Sequence, residues 1–114
     1  MINEFKLQSE LKNNCLVIDT FGYINNVGGQ KIVDEFKEHS QNGINNIVLN
    51  LKETKIVNSI GISFIIEIIE SLNDSEGKLI FANLDPTIEK TFTIMGLFQY
   101  ANKADNVDEA LKLI

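Results

Sequence analysis

The chain has 114 residues, 44% of them hydrophobic, which fits one ordinary domain with a real core and argues against intrinsic disorder. Its formal net charge of −6 argues against docking on the phosphate backbone of DNA or RNA and permits attraction to a basic protein surface. No apolar run reaches the roughly 18 residues of a membrane span, and the single cysteine, Cys15, excludes an internal disulfide and a cysteine-based zinc cage.

The opening "MINEFKLQSE" has no basic end followed by a greasy segment, so no secretory leader is expected and a reducing cytoplasm is. Residues 4–10 alternate Phe5 and Leu7 with Lys6 and Gln8, the pattern of a strand with one wet face. A second strand is expected at 15–21, after a hairpin turn at 12–14. The stretch 28–41 spaces Ile32, Val33 and Phe36 as a helix does, and Asn42-Gly43 would end it. The glycines Gly22, Gly28 and Gly29 read as shaping the turn into that helix. Residues 44–51, "INNIVLNL", form a short apolar run of the buried-strand kind.

A helix is expected from Ser59 to about Leu72. Ile62, Ile65, Ile66, Ile69 and Leu72 make one stripe, Ser63, Glu67 and Glu70 a polar one, and Ile60, Phe64 and Ile68 a third side. A helix so widely apolar packs between two layers or lends surface to a partner. A glycine turn and a strand follow at 76–84. Then come a helix at 86–96 opened by Pro86 and stopped by Gly96, a short strand at 98–102, and a terminal helix at 107–114 capped by Asn106. No linker, internal repeat or low-complexity tract stands out. An initial hairpin followed by alternating helices and strands predicts a single α/β domain over 1–114. Its mixed sheet has four to five strands, with about four α-helices packed on it.

Signals for an enzyme are poor, and no catalytic, cofactor or metal residue is assigned. His39, the only histidine, sits in the last turn of a helix, where a cation suits the dipole. Cys15 reads as a small core residue without a basic neighbour to activate it. Asp34 with Glu35, and Asp108 with Glu109, read as solvated helix faces. The glycines of 22–29 match neither a P-loop nor a dinucleotide fingerprint, which leaves little support for a nucleotide binder. A phospho-receiver would need an aspartate at a strand end to hold Mg²⁺, and the 44–51 strand carries Asn50 instead.

The hinge "VNSIGI" (57–62) is different, because it sets a hydroxyl at the start of an apolar helix. Ser59, or Asn58 in its place, can cap that helix. A phosphate on Ser59 would meet the favourable end of the dipole and add about −1.5 to −2 charges beside Ile60 and Ile62.

At this stretch the chain resembles the STAS family, the domain of bacterial anti-sigma factor antagonists. Members carry a hydrophobic strand, a loop and then Asp-Ser-(Ser/Thr)-Gly-Leu, matched here by Asn58-Ser59-Ile60-Gly61-Ile62. The order continues through Gly77, Pro86, Phe92 and Met95-Gly96-Leu97-Phe98, and upstream through "GYIN" (22–25) and "IVLNL" (47–51), over about residues 4–113. The resemblance implies a STAS-like fold and a non-enzymatic regulator of transcription. It also implies a partner anti-sigma factor that is a serine kinase, a PP2C-type phosphatase, and Ser59 as the phosphate acceptor. It implies a contact surface made of the loop 54–58, Ser59, the exposed side of helix 59–72 and the 22–28 turn, with Asn25, Asn58, Ser59, Ile60, Gly61, Ile62 and Ser63 as its named residues, without nucleic acid or membrane insertion. Asn58 and Asn25 replace acids of the family, which removes negative charge from the docking face. They motivate the alternative, a constitutive STAS adaptor in a signalling assembly or a membrane transporter complex, without phosphorylation.

Overall fold

The computed structural model describes residues 4–114; Met1, Ile2 and Asn3, part of the stretch read above for a leader, lie outside it. Strands β1 (Lys6–Lys12) and β2 (Cys15–Phe21) pair antiparallel, with Lys12 opposite Cys15. The two residues between them, Asn13 and Asn14, both have positive φ (55° and 63°). Two left-handed residues in a two-residue loop match the right-handed twist of the strands, and asparagine tolerates that conformation.

Three further strands continue the sheet: β3 (Asn46–Glu53), β4 (Lys78–Ala82) and β5 (Asn102–Ala104). The order is β1-β2-β3-β4-β5, with every pair after the hairpin parallel. Parallel neighbours need a crossover, and helices supply it. They are α1 (Asn26–Ser40), α2 (Ser59–Asp74) and α3 (Pro86–Ile94), with a last short helix α4 (Val107–Leu111) after β5.

Strand alternation divides the core in two. Leu16, Ile18, Ile47, Leu49, Leu79 and Phe81 face one way, against Ile32, Val33 and Phe36 of α1, Ile62, Ile65 and Ile69 of α2, and Phe92 of α3. Val17, Val48 and Ile80 face the other way, with Cys15 and Ala82, under Ala110 of α4. Both faces are covered, so the middle strands read as continuous apolar runs rather than alternating ones. Each buried Leu, Ile or Phe side chain contributes about 1.5–3 kcal/mol. Phe81, Phe92 and Phe98 form an aromatic trio with ring centroids 5.0–6.4 Å apart, Phe92 tilted against the other two and Phe81 edge-to-face with Phe98.

The expected α/β architecture stands, with several local corrections. Helix α1 starts at Asn26, so Gly28 and Gly29 lie inside its first turns rather than in the approach to it. In α2 the buried stripe is Ile62, Ile65, Ile68, Ile69 and Leu72; Ile66 is only half-buried, so Ile68 takes its place. The turn before β4 puts Glu76, not Gly77, in the left-handed conformation (φ 59°). Residues 97–99 form a 3-10 turn, and the final strand begins at Asn102 rather than Phe98. Gly96 does end α3, at φ 80°, and the terminal helix stops at Leu111.

Candidate functional site

The site is built where β2 and β3 run out. The β2–β3 register shifts between Asp19 and Phe21, and the buried hydroxyls of Thr20 and Thr54 meet at 2.6 Å. Thr20 also donates to the Asn50 carbonyl at 3.4 Å, so the two threonines satisfy each other inside the sheet's end. Beyond them the two chains stay together. Gly22 N–H donates to the Glu53 carbonyl (3.2 Å), Ile24 N–H to the Ile56 carbonyl (3.0 Å) and Asn58 N–H to the Ile24 carbonyl (3.1 Å). Ile24 and Val57 form a parallel bridge. Each chain turns into a helix at the next residue.

Those next residues are Asn25 and Asn58, and both are N-caps. Asn25 Oδ1 accepts from the amides of Val27 (3.0 Å) and Gly28 (3.1 Å); Asn58 Oδ1 accepts from the amide of Gly61 (2.8 Å). The cap of α2 is therefore Asn58, and Ser59 is the first helical residue. This explains how the asparagines can replace acids without loss of structure. Asn and Asp cap helices about equally well, so the exchange keeps the fold and removes the charge.

The two helix starts repeat one local pattern. An aliphatic residue in the bridge is followed by a capping Asn, a polar residue, a half-exposed β-branched residue and a buried Gly. One copy is Ile24-Asn25-Asn26-Val27-Gly28 and the other Val57-Asn58-Ser59-Ile60-Gly61. Val27 is 52% exposed and Ile60 51%. Both glycines are forced by close approach. A Cβ on Gly61 would collide with the Ile24 carbonyl, and one on Gly28 would stand 2.9 Å from the Tyr23 carbonyl and the Phe5 ring. Sequence reading had found no repeat here. Two "Asn-x-(Val/Ile)-Gly" segments 33 residues apart were the available signal, too short to notice without the bridge that aligns them.

Ser59 is exposed, and its hydroxyl makes no hydrogen bond among the described residues. Four exposed apolar residues, Tyr23, Val27, Ile56 and Ile60, lie within three residues of the Ile24–Val57 bridge along the chain. Neither helix has an acidic residue in its first turn. Lys55 adjoins the site and reaches Asp85 at 3.9 Å. Of the sequence-predicted contact residues, Asn25, Asn58, Ser59, Ile60 and Ser63 come together at this rim, with Ser63 Oγ donating to the Ile60 carbonyl at 2.6 Å. Gly61 and Ile62 do not face outward. Both are buried, Gly61 against the Ile24 backbone and Ile62 in the core. Tyr23, Val27 and Ile56 lie in the expected 22–28 turn and 54–58 loop, but an isolated surface hydrophobe carries no signal of its own until the fold groups it with others.

Elsewhere the reactive residue types have structural places. Cys15 is buried, and desolvation holds its thiol at a pKa of about 11, far from a reactive thiolate. His39 lies near the carboxyl end of α1, with Nε2 3.3 Å from Glu35, and Ser9 donates to the same carboxylate. Glu35 is thus half-buried and engaged rather than simply solvated. No helix among the described residues is long and apolar enough to cross a membrane.

A family model described as "STAS domain" matches residues 6–110. BtrV of Bordetella bronchiseptica, named as a candidate anti-sigma factor antagonist, is 23% identical over 110 residues, covering 94% of this chain and 95% of its own. Among solved structures, a Thermotoga maritima protein (tm1081), titled in the same terms, superposes with a TM-score of 0.87 at 17% identity, over 95% of this chain and 93% of its own. The Bacillus cell fate determinant SpoIIAA, solved in its phosphorylated form, gives a TM-score of 0.75 at 23% identity, over 95% and 98% of the two chains.

Proposed function

The chain belongs to the STAS domain family, and on that premise we propose that it is an anti-sigma factor antagonist. It binds an anti-sigma factor that is itself a serine kinase, holds it away from its sigma factor, and is released by phosphorylation of Ser59. The observation that carries this reading is the position of one hydroxyl. Ser59 is exposed, its hydroxyl has no hydrogen bond among the described residues, and it stands at the first position of α2, next to the exposed Ile60. The name of BtrV and the phosphorylated form of SpoIIAA support the same reading.

In the phosphorylation step the kinase transfers the γ-phosphoryl of ATP to Ser59 Oγ. The Oγ–H bond breaks, an O–P bond forms, ADP leaves, and a base on the kinase takes the proton. This chain contributes an accessible nucleophile held at a fixed place. The phosphate is favoured by the positive end of the α2 dipole. It adds about −1.5 to −2 charges next to Ile60, so a partner that covers this rim must bury a dianion. A PP2C-type phosphatase then returns the hydroxyl by hydrolysis.

The test is incubation of the chain with ATP and the kinase-type anti-sigma factor encoded in the same genome, followed by intact mass and site mapping. One added phosphate on Ser59 is expected, and none on Ser59→Ala. An unmodified chain that still binds the kinase would favour the second reading, a constitutive adaptor. That reading has its own observation. Two further exposed apolar residues, Met95 and Tyr100, line a groove of about 300 Å³ between α2 and the 3-10 turn. A two-faced surface suits a scaffold.

A further inference from the structure

The two matched helix starts raise a question that capping does not answer. Val27 and Ile60 are β-branched, a type with below-average helix propensity, and each is about half exposed, so local folding gives no reason for either. They occupy the same position of the same pattern, each three residues beyond its member of the Ile24–Val57 bridge. Tyr23 and Ile56, just before the bridge, add two more exposed apolar side chains.

The charge distribution is equally uneven. Segments 20–30 and 56–66 contain no Asp, Glu, Lys, Arg or His, in a chain that is 23% charged with net charge −6. The bridge joins the two segments here, and Lys55, which precedes Ile56, is paired with Asp85 at 3.9 Å. Aspartate would cap these helices as well as asparagine does, so folding does not require the neutral amides of Asn25 and Asn58.

We propose that the paired helix starts form one uncharged docking face, with Val27 and Ile60 as twin anchors, and that it fits a protein partner whose contact surface is apolar and does not rely on basic residues. The net charge alone suggested attraction to a basic surface; the arrangement of the residues points the other way. The proposal rests on the antagonist reading above and specifies the chemistry of its partner. Val27, Tyr23 and the α1 start become half of the interface rather than its margin.

The experiment measures binding of the full chain to the kinase-type anti-sigma factor of the same genome at low and high NaCl, about 0.05 M and about 0.5 M, a range over which exposed charge pairs are strongly screened. Wild-type Kd is expected to change by less than about threefold across that range. Val27→Ser and Ile60→Ser, both surface changes verified by unaltered melting, should each weaken binding by about tenfold, as interface anchors do. Asn25→Asp with Asn58→Asp should not tighten it. Loss of wild-type affinity by tenfold or more with salt overturns the proposal and leaves the antagonist reading in place, as does a Val27→Ser chain that binds like wild type. A folded wild-type chain that binds at neither salt concentration overturns the antagonist reading and this inference with it.

Discussion

The start of α1 and the start of α2 use the same five-residue pattern, and they differ where it matters. At the first helical position α1 has Asn26 and α2 has Ser59. Both residues are exposed, both follow a capping asparagine, and both precede a half-exposed β-branched residue. Only one offers a hydroxyl. The comparison separates two jobs that the sequence motif had merged. The asparagines hold the helices and the aliphatics shape the face, at both starts alike. Modification is open to one start alone, because a carboxamide is not a phosphoryl acceptor. The serine is therefore free of a capping duty, and its chemistry can change without disturbing the helix it begins.

The strongest way to test that separation is a charge at the odd position. Ser59→Asp should weaken kinase binding by about 5- to 150-fold, the range of ordinary coupling energies, while its melting temperature stays near wild type. An equal loss of stability would mean that the hydroxyl also serves the fold. Next come the glycines. Gly61→Ala must move the Ile24 backbone and should cost about 1–3 kcal/mol in chemical denaturation. Gly28→Ala meets its nearest neighbours, the Tyr23 carbonyl and the Phe5 ring, at 2.9 Å rather than 2.3 Å and should cost less. The reverse order would show that the α1 start, not the α2 start, is the tighter joint.

Smaller effects sharpen the same contrast. Asn58→Ala and Asn25→Ala should each destabilise by about 1 kcal/mol, whereas Asp at either place should be neutral or slightly stabilising through the dipole. A deficit with Asp would break the argument that these positions are interchangeable caps. The smallest expected effect is that of Ser59→Ala on stability, within about 0.5 kcal/mol, since its hydroxyl bonds nothing among the described residues. A clear loss would restore Ser59 to the cap that Asn58 holds here.

Much of the fold was legible because its signals are local. Asn13-Asn14 sit where the hairpin requires a turn, Pro86 opens α3 after the capping Asp85, and Asn106 caps α4. The misplacements also have local causes. "FQYAN" has the aromatic content of a strand, yet Phe98 is needed beside Phe81 and Phe92, and a 3-10 turn delivers it there. Ile66 and Ile68 could not be told apart by spacing in a helix that is apolar on two of its three sides. Their burial depends on where the sheet and α1 lie. At the site, the motif singles out Ser59, Asn58, Asn25 and Ile60, which the fold leaves exposed or half-exposed, together with Gly61 and Ile62, which it buries.

The sequence by itself determined the class of fold and the residue to watch, since hydrophobic period, turn residues and the "NSIGI" hinge are properties of short segments. Tertiary structure alone decided what surrounds that residue. The bridge between Ile24 and Val57 joins segments 33 residues apart. That joining turns two separate helix starts into one apolar face. A contact between distant segments exists only once the sheet has fixed their register, and no local pattern encodes it.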